Sequence, residues 1–510
     1  MNKKGILKSK VELRDYQKHV VDNVLKKGNS LIVIPTGLGK TIIGLDLIAR
    51  VLEKKGGKAL FLAPTKPLIQ QHFESCKDLM NLEEYELILL SGNVKQTQRK
   101  KLFEDAKVII ATPQTIGNEV KKGRLDLQDV SIVIFDESHK AVKDYAYVFL
   151  AENLRGKALV VGLTASPGST KEKIDEICDN LGIENIELKS YDDEDVKPYV
   201  NEIVLEGIRV DLPDEIIEVT DLIKEFVKEL LESLQKYHLV GSASLANANR
   251  MKLLEIQRRV SSGIRRGNKF YYVAARVVSA LLKLRHALIL LETQNVKAFN
   301  QFMDSLEEKA VGNRTDKMIV DNPLIREAKI KTRGLIKKGI ENPKVELLAE
   351  LLSDEFDRNK DARVIVFNHF RDSVHFLEKF LIEKGFKAKA FVGQSVKKGI
   401  GLKQKEQEAI INEFRSGTYN VLISTSVAEE GLDIPKCDLI IMFEPVPTEI
   451  RKIQRVGRTG RFKEGKALIL IVRNTSDESS YYASLRKEKV MKETLREMKN
   501  KKQKNLKEFM

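Results

Sequence analysis

The sequence predicts an α/β protein with two parallel-sheet domains separated by an all-helical insert. Three observations carry that expectation. Up to about residue 200, short and continuously apolar runs alternate with helical patterns, and the same alternation returns after Asn342-Pro343. Between the two stretches the strand-like runs stop and only helical periodicity remains. At 510 residues the chain is also too long for a single core, so two or three domains are expected.

In the first stretch the runs SLIVI, ALFLA, ELILLS, KVIIAT, SIVIFD and KALVVGLTAS each end at a polar or Gly-containing loop. Apolar strands with crossover helices between them are the pattern of a parallel sheet covered on both faces. From Asp211 the rhythm changes. Val219, Leu222, Ile223, Phe226, Val227, Leu230, Leu231 and Leu234 recur at helical spacing, and Phe270 to Gln294 forms a second long helical pattern. RVIVFN, KAKAFVG, NVLIST, CDLIIMFE and KALILIV then supply a second sheet. The expected division is 1–205 for the first domain, 206–342 for the insert, 343–485 for the second domain and 486–510 for a basic closing helix that frays into a tail.

Composition narrows the function classes. No apolar run approaches the roughly 18 residues that span a bilayer, and the basic start MNKKGILKSK lacks an apolar h-region, so a cytoplasmic protein without membrane association is expected. Cys76, Cys178 and Cys437 lie far apart, which argues against a disulfide framework or a zinc site. The net charge of +15 points to a polyanion, nucleic acid first. Its distribution is more telling: Gly241 to Val345 holds 21 Lys and Arg against 9 Asp and Glu, so the excess is concentrated in the insert.

Chemistry enters at Leu31 to Gly44, LIVIPTGLGKTIIG. The strict phosphate-loop pattern G-x-x-x-x-G-K-[ST] has glycine where this chain has Ile34, but that position belongs to the end of the strand and need not obstruct phosphates. Thr36, Gly37, Leu38, Gly39, Lys40 and Thr41 then form a cradle of backbone N–H groups at a helix N-terminus. Lys40 can reach the β/γ-phosphates of ATP, and the Thr41 hydroxyl can ligate Mg²⁺. In SIVIFDESHKA a strand delivers Asp136 and Glu137 to the crevice where α/β sheets bind ligands. Asp136 is expected to hold Mg²⁺ and Glu137 to orient or deprotonate the attacking water.

These motifs, in this order, resemble the superfamily-two helicases of the DEAH-like kind. PTGLGKT, DESH and TAS match motifs I, II and III, with Ser138 where alanine is usual. The resemblance implies two RecA-like domains, with Gln17 of LRDYQ as the adenine contact and His139, Thr164 and Ser166 as coupling residues. It also implies that the loops carrying Pro64, Thr65, Thr112 and Gln114 hold nucleic-acid backbone. In the second domain, TSVAEEGLDIP and QRVGRTGR resemble motifs V and VI, and VIVFNHFRDS resembles motif IV. By the same resemblance Arg458 and Arg461 reach the γ-phosphate across the cleft, Gly431, Asp433 and Gln454 touch the nucleotide, and Gly393, Gln394 and Thr425 grip nucleic acid. A planar guanidinium from the opposite domain acts only when the cleft is shut, which would couple hydrolysis to closure.

A narrower match, through GLTASPGST, DVKPYV, LETQ, FVGQ, GLKQKEQ and EPVPTEIRKIQRVGRTGR, is to the archaeal Hef helicase module. That module is related to Fanconi-anaemia M-type translocases and to the RNA-sensing RIG-I-like group. It implies a DNA helicase or translocase acting on stalled forks and four-way junctions in replication-fork repair and recombination, with a separate nuclease or sliding clamp as possible protein partners. The nuclease signature E-R-K-x-x-x-D of longer Hef proteins does not occur in the sequence, so no nuclease activity is expected from it. Within the insert, Arg265, Arg266, Lys269, Arg276 and Lys283 are expected to contact phosphates without reading sequence, with Lys331, Arg333, Lys337 and Lys338 as a further basic group. Two other readings stay open: an RNA helicase or double-stranded-RNA translocase with the same engine, and an ATP-gated clamp that binds branched nucleic acid without unwinding it.

Overall fold

The computed structural model describes residues 6–8, 11–92, 94–168, 170–191, 193–199, 203–236, 238–266, 271–393, 404–428, 434–435, 437–446 and 465–508. The first sheet contains β1 (Ser30–Val33), β2 (Lys58–Leu62), β3 (Leu87–Leu90), β4 (Val108–Ala111), β5 (Val130–Phe135), β6 (Leu159–Thr164) and β7 (Asn185–Leu188), ordered β3-β4-β2-β5-β6-β1-β7. Every pairing in it is parallel. Each strand therefore has two apolar faces to cover. On β1, Leu31 and Val33 enter one core while Ile32 and Ile34 enter the other, with helices on both sides.

The second sheet is also parallel and runs β10-β11-β9-β12-β13-β8, with β8 (Ile203–Val210), β9 (Val364–Phe367), β10 (Ala388–Phe391), β11 (Val421–Ser424), β12 (Leu439–Met442) and β13 (Gly465–Val472). Strands β7 and β8 were not expected from the sequence. Both are edge strands with a broken apolar pattern. Glu187 in the middle of β7 is buried and neutralised by Lys27 at 2.7 Å, while β8 exposes much of its length. The expected boundary at 205/206 is thereby corrected: it falls inside β8, which pairs with β13 along its whole length, so the chain enters the second sheet before it leaves for the insert.

The insert is helical, as expected: Asp214–Lys236, Arg250–Arg265, Tyr271–Ile289, Val296–Ala310, Arg314–Asp321 and Pro323–Lys338. Seven of the eight apolar residues singled out in the first helix are buried in its core, and Leu222 packs on that core from the side. Asparagines start four of these helices, with the side chains of Asn249, Asn295, Asn313 and Asn322 accepting N–H groups of the first turn. In Asn322-Pro323 the cap is followed by a proline whose missing N–H costs nothing at that position. The long helix expected over Phe270 to Gln294 instead closes with a π-helical turn at Leu290–Gln294.

That turn locks the insert to the second domain through buried polar contacts. Gln294 donates to Glu444 (3.2 Å) and accepts from Asn368 (2.8 Å), and the His369 N–H donates to the other Glu444 oxygen (2.8 Å). Asn342, which caps the next helix, donates to the Glu292 carbonyl (2.9 Å). Each contact satisfies a group that would otherwise be desolvated without a partner.

The closing helix, Ser476–Glu508, is longer than expected and starts in the second domain. Its first turn is tied down by Asp477, which receives the Lys344 ammonium at 2.7 Å, and that ammonium also donates to the Phe443 carbonyl at 2.7 Å. Further along, Met491, Leu495 and Met498 enter the core of the first domain. The expected boundary at 485/486 therefore cuts a continuous helix that bridges both domains.

Lys344 is wholly buried, so removing it strands a carboxylate. Lys344→Met is expected to cost about 3–5 kcal/mol in chemical denaturation, and the double variant Lys344→Met/Asp477→Leu is expected to recover most of that loss. Equal destabilisation by the single and double variants would show that the pair is not what holds the helix start.

Candidate nucleotide and nucleic-acid site

Because both sheets are parallel, the loops after their strands emerge at one edge of each sheet. In the first sheet, β1, β6 and β5 are neighbours, and their following loops are the phosphate loop, the TAS segment and the DESH segment. β2 and β4 lie beyond β5 and lead into the loops of Pro64-Thr65 and Thr112-Gln114. Strand order alone separates the loops expected to hold nucleotide from those expected to hold nucleic acid.

Ile34 sits where the sequence reading puts it, at the buried end of β1, with its N–H bonded to the Thr164 carbonyl (3.1 Å). The turn after it uses Gly37 at φ +87° and Gly39 at φ +78°, a left-handed region that favours glycine. Gly39 begins the helix Lys40–Lys55 without a side-chain cap. A Cβ there would lie 2.4 Å from Gln17 Nε2, so any side chain at this position would displace the Gln17 amide. Gln17 is folded onto the loop: its Nε2 donates to the Leu38 carbonyl (3.1 Å) and its Oε1 accepts the Arg14 N–H (2.9 Å). Tyr16, the neighbour of Gln17 in LRDYQ, donates to the same Leu38 carbonyl (2.7 Å), and Tyr191, which lies in none of the motifs, donates to the Thr36 carbonyl (2.8 Å). Lys40 Nζ rests on the Ile34 carbonyl at 3.0 Å. Thr41 follows in the first turn of the helix.

Asp136 and Glu137 leave β5 beside this loop. The Asp136 N–H donates to the Leu62 carbonyl (2.9 Å), and Tyr147 donates to the Asp136 carbonyl (2.6 Å). Burial pushes the Asp136 carboxyl up, but a hydrogen bond with His72 and the Lys40 charge outweigh it and hold the group below the usual carboxylate range. An ionised, buried carboxylate beside a lysine and a helix N-terminus suits a magnesium–phosphate complex, so the residues present fit the implied ligand. Glu137 adopts φ 49°, ψ 46°, a left-handed placement that costs a non-glycine residue about 1 kcal/mol or more and is typical of functional sites. His139 Nδ1 lies 3.2 Å from both Glu137 Oε2 and Thr164 Oγ1, with geometry that favours the threonine. Thr164 Oγ1 accepts the Ser166 N–H (3.1 Å), and Ser166 Oγ donates to the Met491 sulfur (2.8 Å). The three coupling residues named from sequence thus form one chain, and it ends on the closing helix.

In the loops expected to hold nucleic acid, Thr65 and Thr112 are the N-caps of the helices Lys66–Leu79 and Pro113–Lys121. Pro64 is half-buried and Gln114 is exposed. In the second domain Gly393 and Thr425 follow neighbouring strands β10 and β11, and the Thr425 N–H donates to the Phe391 carbonyl (3.2 Å). Within the insert, Arg265 and Arg266 are exposed at the end of one helix and Arg276 is half-buried on the next. Lys283 is a correction. Its ammonium is tied to Asp316, a carboxylate buried in the bundle, so it neutralises an internal charge and does not face a phosphate. Lys331 and Arg333 pair with Glu218 and Asp304 at the surface, and Arg333, Lys337 and Lys338 are exposed. Lys269, Gln394, Gly431, Asp433, Gln454, Arg458 and Arg461 lie outside the described residues.

With this geometry in place, similarities to known proteins become specific. Residues 14–174 match the family model "DEAD/DEAH box helicase", 343–463 match "Helicase conserved C-terminal domain", and 215–336 match "Putative ATP-dependent RNA helicase, helical bundle". The chain is 40% identical over 488 residues to the "Putative ATP-dependent RNA helicase MJ1505" of Methanocaldococcus jannaschii, covering 96% of this chain and 61% of that protein. It is 32% identical over 486 residues to the "ATP-dependent DNA helicase mph1" of Neurospora crassa, covering 91% of this chain and 41% of that one. The chain thus spans less than two thirds of either relative. The crystal structure of the Pyrococcus furiosus Hef helicase domain superposes with a TM-score of 0.73 at 41% identity, over 92% of this chain and 98% of that one. Fold, order of motifs and relatives agree: the chain belongs to the superfamily-two DEAD/DEAH-box helicases, and its two RecA-like domains flank a helical bundle as in the Hef helicase domain.

Proposed function

We propose that this chain is an ATP-dependent DNA helicase or translocase that acts on branched DNA such as stalled forks and four-way junctions. The observation that carries the reading is the shared sheet edge, where a phosphate loop, an ionised Asp136 and Glu137 stand beside two helix N-termini suited to backbone phosphates. The relatives of the mph1 type named as DNA helicases support DNA as the polymer, and the exposed Arg265 and Arg266 on the insert support contact with duplex backbone. Bound MgATP would supply the phosphoanhydride and part of the charge neutralisation; Thr41 and Asp136 are the residues that would hold the metal. Lys40 is placed to leave the Ile34 carbonyl for a phosphate, Glu137 to orient and deprotonate water, and the His139, Thr164 and Ser166 chain to report the state of that site to the closing helix. By family resemblance Arg458 and Arg461 complete the site from the second domain.

The helical-bundle model and the M. jannaschii relative carry RNA helicase in their names, which favours RNA as a second reading. Measuring ATPase stimulation by matched DNA and RNA forks and duplexes separates the two. The proposal expects the DNA fork to stimulate most, and a preference for RNA duplex would transfer the assignment to the second reading.

Two variants test the site itself. Glu137→Gln is expected to lower kcat at least about 10²-fold while leaving ATP binding near wild type, whereas Lys40→Ala should lose both. A Glu137→Gln rate close to wild type would remove Glu137 from the reaction.

Reversing Arg265 and Arg266 to Glu is expected to weaken fork and junction binding well beyond single-strand binding. It should also flatten the slope of log K against log salt by roughly 0.9 per lost phosphate contact. An unchanged slope would identify these arginines as solvated surface.

A further inference from the structure

His72 belongs to none of the helicase motifs read from the sequence, yet it touches the most consequential carboxylate in the first domain. It lies on the inner face of the helix Lys66–Leu79, which follows β2 and begins at the Pro64-Thr65 loop. Since β2 and β5 are sheet neighbours, with Leu62 paired to Phe135, that helix passes beside the end of β5. There His72 Nε2 meets Asp136 Oδ2 at 2.8 Å, with His72 4% and Asp136 6% exposed. The imidazole is held flat by stacking on Phe61, with centroids 4.3 Å apart and planes 21° apart.

The two ring nitrogens have different surroundings. Nδ1 is buried and has no hydrogen-bond partner among the described residues, whereas Nε2 faces a carboxylate oxygen. A carboxylate oxygen can only accept, so the proton between the two groups sits on Nε2 and His72 donates it to Asp136. The Asp136 main chain is already fixed on both sides, through its N–H to Leu62 and its carbonyl to Tyr147. What remains free to vary is the rotation of the carboxylate, and that is the freedom His72 removes.

We propose that His72 is a positioning residue that fixes which oxygen of Asp136 faces Mg²⁺ and ties that orientation to the helix whose N-terminus meets nucleic acid. The inference rests on the ATPase reading above. With Oδ2 engaged by His72, Oδ1 is the oxygen presented to the cation. Thr65 is the N-cap residue of this helix and makes no side-chain cap bond, so a phosphate bound at the backbone N–H groups of the helix start would act on the element that carries His72 two turns later. Outer-sphere partners of metal ligands act in this way, and their loss typically costs about 10–100-fold in metal affinity or activity.

The test compares His72→Phe, which keeps the stack on Phe61 but removes the donor, with His72→Gln, which restores an N–H at similar reach. Mn²⁺ binding is read by electron paramagnetic resonance in the presence of a non-hydrolysable ATP analogue, alongside the thermal midpoint of the ligand-free protein and the stimulation of ATPase by forked DNA. The expected result is that Mn²⁺ affinity falls about 10-fold or more in His72→Phe and recovers to within a few-fold in His72→Gln. The thermal midpoint of His72→Phe should stay close to wild type, and its fold-stimulation by DNA should drop. Wild-type Mn²⁺ affinity in His72→Phe would overturn the proposal, as would equal losses in both variants accompanied by a lowered midpoint. A wild-type protein without Mg²⁺-dependent ATPase would instead overturn the reading on which it rests.

Discussion

Parallel strand pairing is the constraint on which the rest of this structure depends. A parallel sheet forces every connection to cross back over a face, and so every loop that follows a strand arrives at the same edge. In the first domain the order β4-β2-β5-β6-β1 then sorts these loops by chemistry, with phosphate and carboxylate chemistry after β1, β5 and β6 and helix N-termini suited to a phosphate backbone after β2 and β4. No single side chain creates that division. It follows from which strands are neighbours.

The same logic makes the molecule's divisions mechanical as well as topological. The insert is joined to the second domain by a π-helical turn whose buried amides meet Glu444 and Asn368, and by Asn342 at the next helix start. The closing helix begins on a buried ammonium of the second domain and ends its described side chains in the core of the first. Its Met491 receives the Ser166 hydroxyl, so the segment that follows β6 also touches the only described helix seen to enter both domains. Groups of this kind are costly to bury unpaired, and that cost makes the junctions specific.

Charge in the insert divides into two populations. Lys283 is tied to the buried Asp316, and the buried Lys329 to Asp304 and Glu307, pairs that join one helix to another, while Lys331 meets Glu218 at the surface, where such a pair contributes little. Arg265, Arg266, Lys337 and Lys338 remain on the surface. The pairs of Lys283 and Lys329 hold their charge within the packing, whereas the exposed Arg265, Arg266, Lys337 and Lys338 present theirs to solvent. Burial has a parallel effect on the thiols: Cys76 is pushed up to about 12, which leaves it a core side chain with no thiolate chemistry near neutral pH.

By itself the sequence determined whatever a local pattern can carry. The apolar runs that became β1 to β6 and β9 to β13 were visible because a strand buried on both faces must be continuously apolar, and the phosphate loop was visible because glycine, lysine and threonine have fixed offsets there. The helical insert was equally plain, because its buried stripe repeats at helical spacing from Ile216 to Leu234. Only the tertiary structure decided what depends on distant partners. In strands β7 and β8 the apolar run is broken by Glu187 and by Glu206-Gly207, and their strand pairing depends on distant partners, Lys27 beside Glu187 and the edge of β13 beside β8. Lys283 looked like a nucleic-acid contact until a carboxylate thirty-three residues away claimed it. His72 and Asp136 are sixty-four residues apart, and no spacing rule joins a histidine to an aspartate across two strands. Periodicity records what a residue wants to bury, whereas pairing between charges is settled by which elements the sheet order brings side by side.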